Sequence, residues 1–210
     1  MNNEGNINLG ERLARIISFV FHPLFMPLYG LAILLSAPTF LSYLPPAVKR
    51  ILFTILLLNN VLIPLLLLPF LRIRNLISSF YLDDRSERII PMLTASILYF
   101  TTSFIVLRYQ IPFFLKSFIF ATAVLSIVVS MINFWWKISI HAVGAGALTA
   151  TVLLLWVKMY TPLPLLIVVV ILLSGVIMAA RLRLDTHNPL QVWVGYFTGL
   201  TVLTLFILLI

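Results

Sequence analysis

Apolar residues in this chain fall in long unbroken runs. Ile16–Val48 carries no formal charge and has room for one membrane-crossing helix plus a loop at Ser42–Pro46. Ile51–Leu71, Ile89–Leu107, Ser117–Trp136, Ile138–Val157, Thr161–Ala180 and Pro189–Ile210 follow. Each holds about 20 residues, which at ~1.5 Å per residue crosses the roughly 30 Å of bilayer hydrocarbon. The runs are apolar on every face rather than alternating, so they predict helices and not strands. The expected fold is an all-α polytopic membrane bundle of about seven (six to seven) helices, organised as a single membrane domain.

Polar residues are confined to short breaks, the longest being Arg72–Arg88. No internal repeat, low-complexity tract or soluble domain is visible. The start, MNNEGNINLGERLAR, is polar and mixed in charge and does not read as a cleaved signal peptide. Composition agrees: of 210 residues, 62% are apolar and only 10% charged, with mean hydropathy +1.13 and no cysteine. A soluble globule, a disordered chain and a disulfide-stapled secreted domain are all excluded. The net charge of +8 would suggest nucleic acid in a soluble protein. Here a membrane is the partner, nucleic acid is not, and the charges matter through where they fall.

If every run crosses, the N-terminus, the Arg72–Arg88 loop, the Trp136–Ser139 junction and the Arg181–Asn188 loop share one side. All six acids lie there: Glu4, Glu11, Asp83, Asp84, Glu87 and Asp185. So do nine bases: Arg12, Arg15, Arg72, Arg74, Arg85, Arg88, Lys137, Arg181 and Arg183. Lys49, Arg50, Arg108, Lys116 and Lys158 fall on the other side. Counting cations alone puts the first side in the cytoplasm. Five of its nine cations, however, sit at span edges where a binding site could hold them. Without those five the balance reverses, so charge leaves orientation open.

Three segments on that side combine charge, histidine and proline at helix mouths. They are Asp83–Pro91, Lys137–His141 and Arg181–Pro189. A lone cation at a span end commonly snorkels to lipid headgroups, and a lone histidine there commonly satisfies an interfacial bond. Three cationic segments with two histidines on one face are a different matter, because ionisable groups at the membrane are costly and mark candidate sites.

The spacing of these residues resembles the type 2 phosphatidic acid phosphatase superfamily, which includes glucose-6-phosphatase and the vanadium haloperoxidases. Arg181 and His187 match the third motif (Ser-Arg, five residues, His, three residues, Asp), with Ala180 in place of Ser and Gln191 in place of Asp. Ile138-Ser139-Ile140-His141 keeps the Ser and His of the second motif, Pro-Ser-Gly-His. The first motif, Lys, six residues, Arg-Pro, does not align on Pro91. Arg85 and Arg88, one helical turn apart, are an alternative pair of phosphate ligands. The resemblance covers roughly Arg85–Gly199 and implies N-terminal spans over 1–84 with a phosphatase-like core over 85–210.

It also implies chemistry: His187 as nucleophile toward a phosphoryl group, and His141 as general acid for the leaving oxygen. Gln191, one helical turn beyond His187, would hold the imidazole by accepting a hydrogen bond, although it brings no charge. Arg181, Arg85, Arg88 and Lys137 would bind phosphoryl oxygens, forked guanidiniums matching them two at a time. Ser139 and the backbone N–H groups beginning the fifth span would add neutral donors. Glu87 would orient Arg85 or Arg88. No metal and no cofactor are expected.

The expected substrate is an amphiphile with its phosphate at headgroup level: a polyprenyl (di)phosphate, a phosphatidyl phosphate or a lipid A phosphate. The expected location is a bacterial inner membrane, with the site on the periplasmic side. The rival is a non-catalytic relative that binds anionic lipid or serves a membrane complex, favoured by Ile90, Ile140 and Gln191 where the motifs have other residues. A transporter ranks third, since no span carries a buried acid.

Other features read as structural. Gly144, Gly146, Gly195 and Gly199 suit close helix packing. His22, before Pro23 and Pro27, reads as a kinked, internally bonded position. Asn59 and Asn60 suit hydrogen bonds between helices. Trp135-Trp136 suits an interfacial anchor.

Overall fold

The computed structural model describes residues 8–78 and 86–210. Its described residues are helical throughout their long elements and contain no strand. Among the described residues, seven helical stretches are long and apolar enough to cross a membrane: Leu9–Ser36, Pro46–Ile73, Ser86–Leu107, Phe113–Trp135, Ile140–Met159, Pro164–Arg183 and Pro189–Leu209. The expected number of spans is met, and several ends differ.

The first span begins at Leu9 rather than Ile16. Asn8 starts helix α1 (Leu9–Val20), its side chain accepting the Gly10 N–H at 3.2 Å. Arg12 and Arg15 turn outward while Ala14 and Ser18 are buried, so the charges end the apolar run but not the helix. Pro23 then forces His22 into an extended conformation and stops α1. A 3₁₀ turn, Pro23–Phe25, leads into α2 (Met26–Ser36). Pro38 ends α2 the same way, so the connector runs over 37–45 instead of starting at Ser42.

The second span is α3 (Pro46–Leu56), a π-helical turn (Leu57–Leu62) and α4 (Ile63–Ile73). Pro64 explains the π turn. In a regular helix its ring would collide with the carbonyl of Asn60, and widening the preceding turn relieves this. Asn60 itself is buried and accepts a hydrogen bond from Thr102 Oγ1 at 2.6 Å. That bond ties the second span to α5 (Ile89–Leu107), as expected for Asn60.

Serine and aromatic contacts pair α5 with α6 (Phe113–Trp135): Ser96 Oγ meets Ser126 Oγ and Ser130 Oγ at 2.8 and 3.0 Å, and the Phe100 and Phe120 rings lie 5.4 Å apart. Helix α7 (Ile140–Met159) is the most enclosed, and its sequence shows why. Small residues line it, and α9 (Pro189–Leu209) lies against them. A Cβ on Gly146 would fall inside the radius of the Tyr196 carbonyl oxygen, and one on Gly199 inside that of Val143. Glycine is required where two backbones touch in this way. On its other side α7 meets α8 (Pro164–Arg183) through Thr149 Oγ1 and Ser174 Oγ at 3.1 Å. Helix α1 lies along α8, and α2 along α7.

Candidate functional site

The helix mouths surround a cavity of 270 Å³, at the lower edge of the roughly 300–1,000 Å³ typical of ligand pockets. Its wall brings together His22, Arg88, His141, Arg181 and His187. These come from the α1–α2 break, the start of α5, the start of α7, the end of α8 and the α8–α9 connection. The N-terminal spans therefore wall the same cavity as the later helices.

The placement of His187 follows from local sequence. Helix α8 ends at Arg183, and Asp185 adopts a left-handed backbone (φ 52°) that turns the chain back. Asn188 then begins α9. Its Oδ1 accepts the Gln191 N–H at 2.9 Å, and Gln191 Oε1 returns a bond to the Asn188 N–H at 3.3 Å. The same Gln191 oxygen lies 3.0 Å from His187 Nδ1. An atom that accepts from a backbone N–H is the amide oxygen, so Nδ1 must carry the hydrogen. Nε2 is left as a lone-pair nitrogen, on a ring that lines the cavity. Burial pushes His187 down to about 4, with the Arg88, Arg181 and Lys137 charges adding to that and the Gln191 bond opposing it. Its imidazole is neutral at pH 7.

His141 Nε2 lies 3.1 Å from the Ser18 carbonyl oxygen, which can only accept, so Nε2 carries a hydrogen there and Nδ1 is the nitrogen free to exchange a proton. Ser18 Oγ accepts from Arg181 Nη1 at 3.1 Å. One residue of α1 thus touches both groups. His22 Nδ1 accepts the Leu24 N–H at 3.3 Å, which places its hydrogen on Nε2, and its ring stands edge-on to His141 at 5.6 Å. The internal bond and the kink expected at His22 are present. So is something the sequence reading missed: His22 faces the same cavity as His141 and His187. A histidine at a proline-broken point inside a span was the available signal.

Other expected residues take different places. Ser139 does not reach the cavity wall. It is fully buried, its N–H donating to the Gln191 carbonyl at 3.3 Å, beneath the first turn of α9. Gly195 admits this approach: a Cβ there would lie 2.8 Å from the Ser139 carbonyl oxygen. The Ser139 Oγ has no hydrogen-bond partner. Lys137 lies near enough for its charge to act on His187 but does not line the cavity. Glu87 Oε1 accepts the Ser78 N–H at 2.8 Å, joining the two sides of the α4–α5 connection. Arg85 lies outside the described residues. Of Asn59 and Asn60, only Asn60 has the interhelical bond, while Asn59 Nδ2 is buried without a partner.

The α7 N-terminus adds positive potential. Ser139 makes no side-chain cap there, and Ile140 and His141 of the first turn line the cavity. With Arg88 and Arg181 on the wall and Lys137 near, the mouth suits an anion. Among the described residues, no three His, Asp or Glu side chains converge as a metal ligand set. Comparison with family models, with curated proteins and with solved structures returns no match.

Proposed function

We propose that this protein is an integral-membrane phosphatase of amphiphilic phosphates, built on the plan of the type 2 phosphatidic acid phosphatases. The observation that carries the reading is His187. Its Nδ1 is held by Gln191, its Nε2 has a lone pair, and its ring shares a wall with Arg88, Arg181 and His141. This is what an attacking imidazole needs: a fixed tautomer beside cations that hold the phosphoryl oxygens.

In the proposed reaction, Nε2 attacks phosphorus and the bond to the ester oxygen breaks. The leaving oxygen takes a proton from His141 Nδ1 when that ring is protonated, Nε2–H staying on Ser18. Water then attacks phosphorus, giving a proton to the His141 Nδ1 that the first step left bare; the P–N bond breaks, His187 regains its Nε2 lone pair and inorganic phosphate leaves. The substrate would be a polyprenyl (di)phosphate, a phosphatidyl phosphate or a lipid A phosphate. The site would face the periplasm of a bacterial inner membrane.

A second reading has its own support. The Nε2 proton of His141 is committed to a backbone carbonyl, and Gln191 cannot stabilise an imidazolium by charge. Both fit a relative that binds anionic lipid without turning it over. Phosphate release from lipid phosphates in detergent separates the two. Release by the wild type that is lost in His187→Ala is expected; no release, or equal release by the variant, overturns the enzymatic reading.

A further inference from the structure

The cavity does not end at the charged mouth. Its wall descends α5 from Arg88 through Pro91, Met92 and Ala95 to Tyr99, and α7 from Ile140 to Thr151. Both descents cover about eleven residues, or about 16 Å of depth at ~1.5 Å per residue, half the thickness of the hydrocarbon layer. Pro64, Tyr99, Phe118 and Thr151 stand at the deep end. The Phe118 ring is nearly fully buried and lies against Gly30, whose absent Cβ it would crowd at 2.6 Å.

Four hydroxyls of this wall are taken up by bonds within the bundle. Thr122 Oγ1 donates to the Ile119 carbonyl at 2.7 Å and Thr151 Oγ1 to that of Ala147 at 2.9 Å. Ser126 and Ser130 both bond to Ser96. Apart from the Tyr99 phenol at the deep end, the rest of the descending wall is largely apolar, with Pro64, Leu68, Met92, Ala95, Leu125 and Val129. Such a wall offers little to a sugar or a second phosphate and fits hydrocarbon.

The geometry points to a chain-binding site inside the bundle: the shaft takes one hydrocarbon chain of the substrate, its phosphate held at the mouth and its end stopped by Phe118. This deepens the phosphatase reading and rests on the mouth being a phosphate site. At about 1.25 Å of length per methylene, from C–C bonds of about 1.5 Å, the depth accommodates a chain of about 13 carbons. The volume admits one such chain and not two. Phe118 is thereby a specificity-determining residue, setting length by closing the far end.

The test uses the purified full chain in detergent with a series of straight-chain alkyl phosphates from octyl to octadecyl. Bound ligand is read by native mass spectrometry and released phosphate by colorimetry. Binding is expected to peak at dodecyl or tetradecyl phosphate and to fall about tenfold or more at octadecyl, where the surplus must fold back. Phe118→Ala is expected to move the peak to longer chains, and Ala95→Phe, narrowing the shaft midway, to shorter ones. Either shift suffices should one variant fail to fold. A binding profile flat in chain length, or a peak that both folded variants leave in place, overturns the chain site. A length-dependent peak without phosphate release keeps the chain site and sinks hydrolysis. Release without length preference does the reverse.

Discussion

Gln191 accepts two hydrogen bonds with one oxygen, from the Asn188 backbone N–H at 3.3 Å and from His187 Nδ1 at 3.0 Å. The start of α9 and the tautomer of His187 depend on the same atom. Removing it in Gln191→Ala loses part of a helix cap and frees the ring to rotate. Phosphate release should fall about tenfold to a hundredfold, as expected for misplacing a reacting group. Gln191→Glu keeps the acceptor and adds charge, so the His187 titration should move upward. Nitrogen-15 NMR of labelled histidine measures that shift.

The depressed titration of His187 sets a pH dependence with a definite sign. Its folded value is about 4 against about 6.5 unfolded. Above pH ~6.5 the ring is neutral in both states and contributes nothing. As pH falls from there toward 4, the unfolded chain takes up a proton that the folded chain refuses, and stability is lost across that window. Thermal unfolding should show this loss in the wild type and a weaker one in His187→Gln. The acid limb of kcat/KM assigned to His187 should lie near 4, since a neutral nucleophile persists down to that pH.

Ser18 links α1 to the site. Ser18→Ala removes the acceptor of Arg181 Nη1 and keeps the backbone carbonyl that faces His141. A bond to a charged donor is worth about 1.5–3 kcal/mol, less where solvent can substitute, so a loss near the lower figure is expected. Thermal unfolding in detergent reads it, and Ser18→Thr, which retains the hydroxyl, should recover most of the loss.

The α7–α9 contact makes a sharper contrast. Gly199→Ala puts a methyl into the Val143 carbonyl and should cost about 3 kcal/mol or more, with part of the protein failing to fold. Gly175→Ala, on α8, meets nothing within 4 Å and should be neutral or stabilising by up to about 1 kcal/mol. Size-exclusion profiles after graded heating distinguish the two.

The seven spans were legible because a membrane helix is apolar on all faces, which is a property of composition. Their ends were less so. Arg12 and Arg15 interrupt apolarity without interrupting hydrogen bonding, and α1 passes through them. The meeting of Arg88, His141, Arg181 and His187 was expected from their common side and motif order. Two placements were not readable, because each depends on rotation about a helix axis and on what packs there. Ser139, two residues before His141, points under α9, and His22 turns toward the cavity once Pro23 breaks the helix.

The π turn at Leu57–Leu62 sets a rotational phase between the two halves of its span. Carrying more residues per turn than the helix on either side, it offsets the azimuth of everything beyond it. Leu52 and Leu56 before it face the main core, whereas Pro64 and Leu68 after it face the shaft. Regular winding of the same six residues would turn α4 by about 100°, one residue's rotation, so the π turn is what keeps Pro64 and Leu68 on the shaft side. The shaft would lose a wall through a change in angle alone, with every apolar residue of the wall retained.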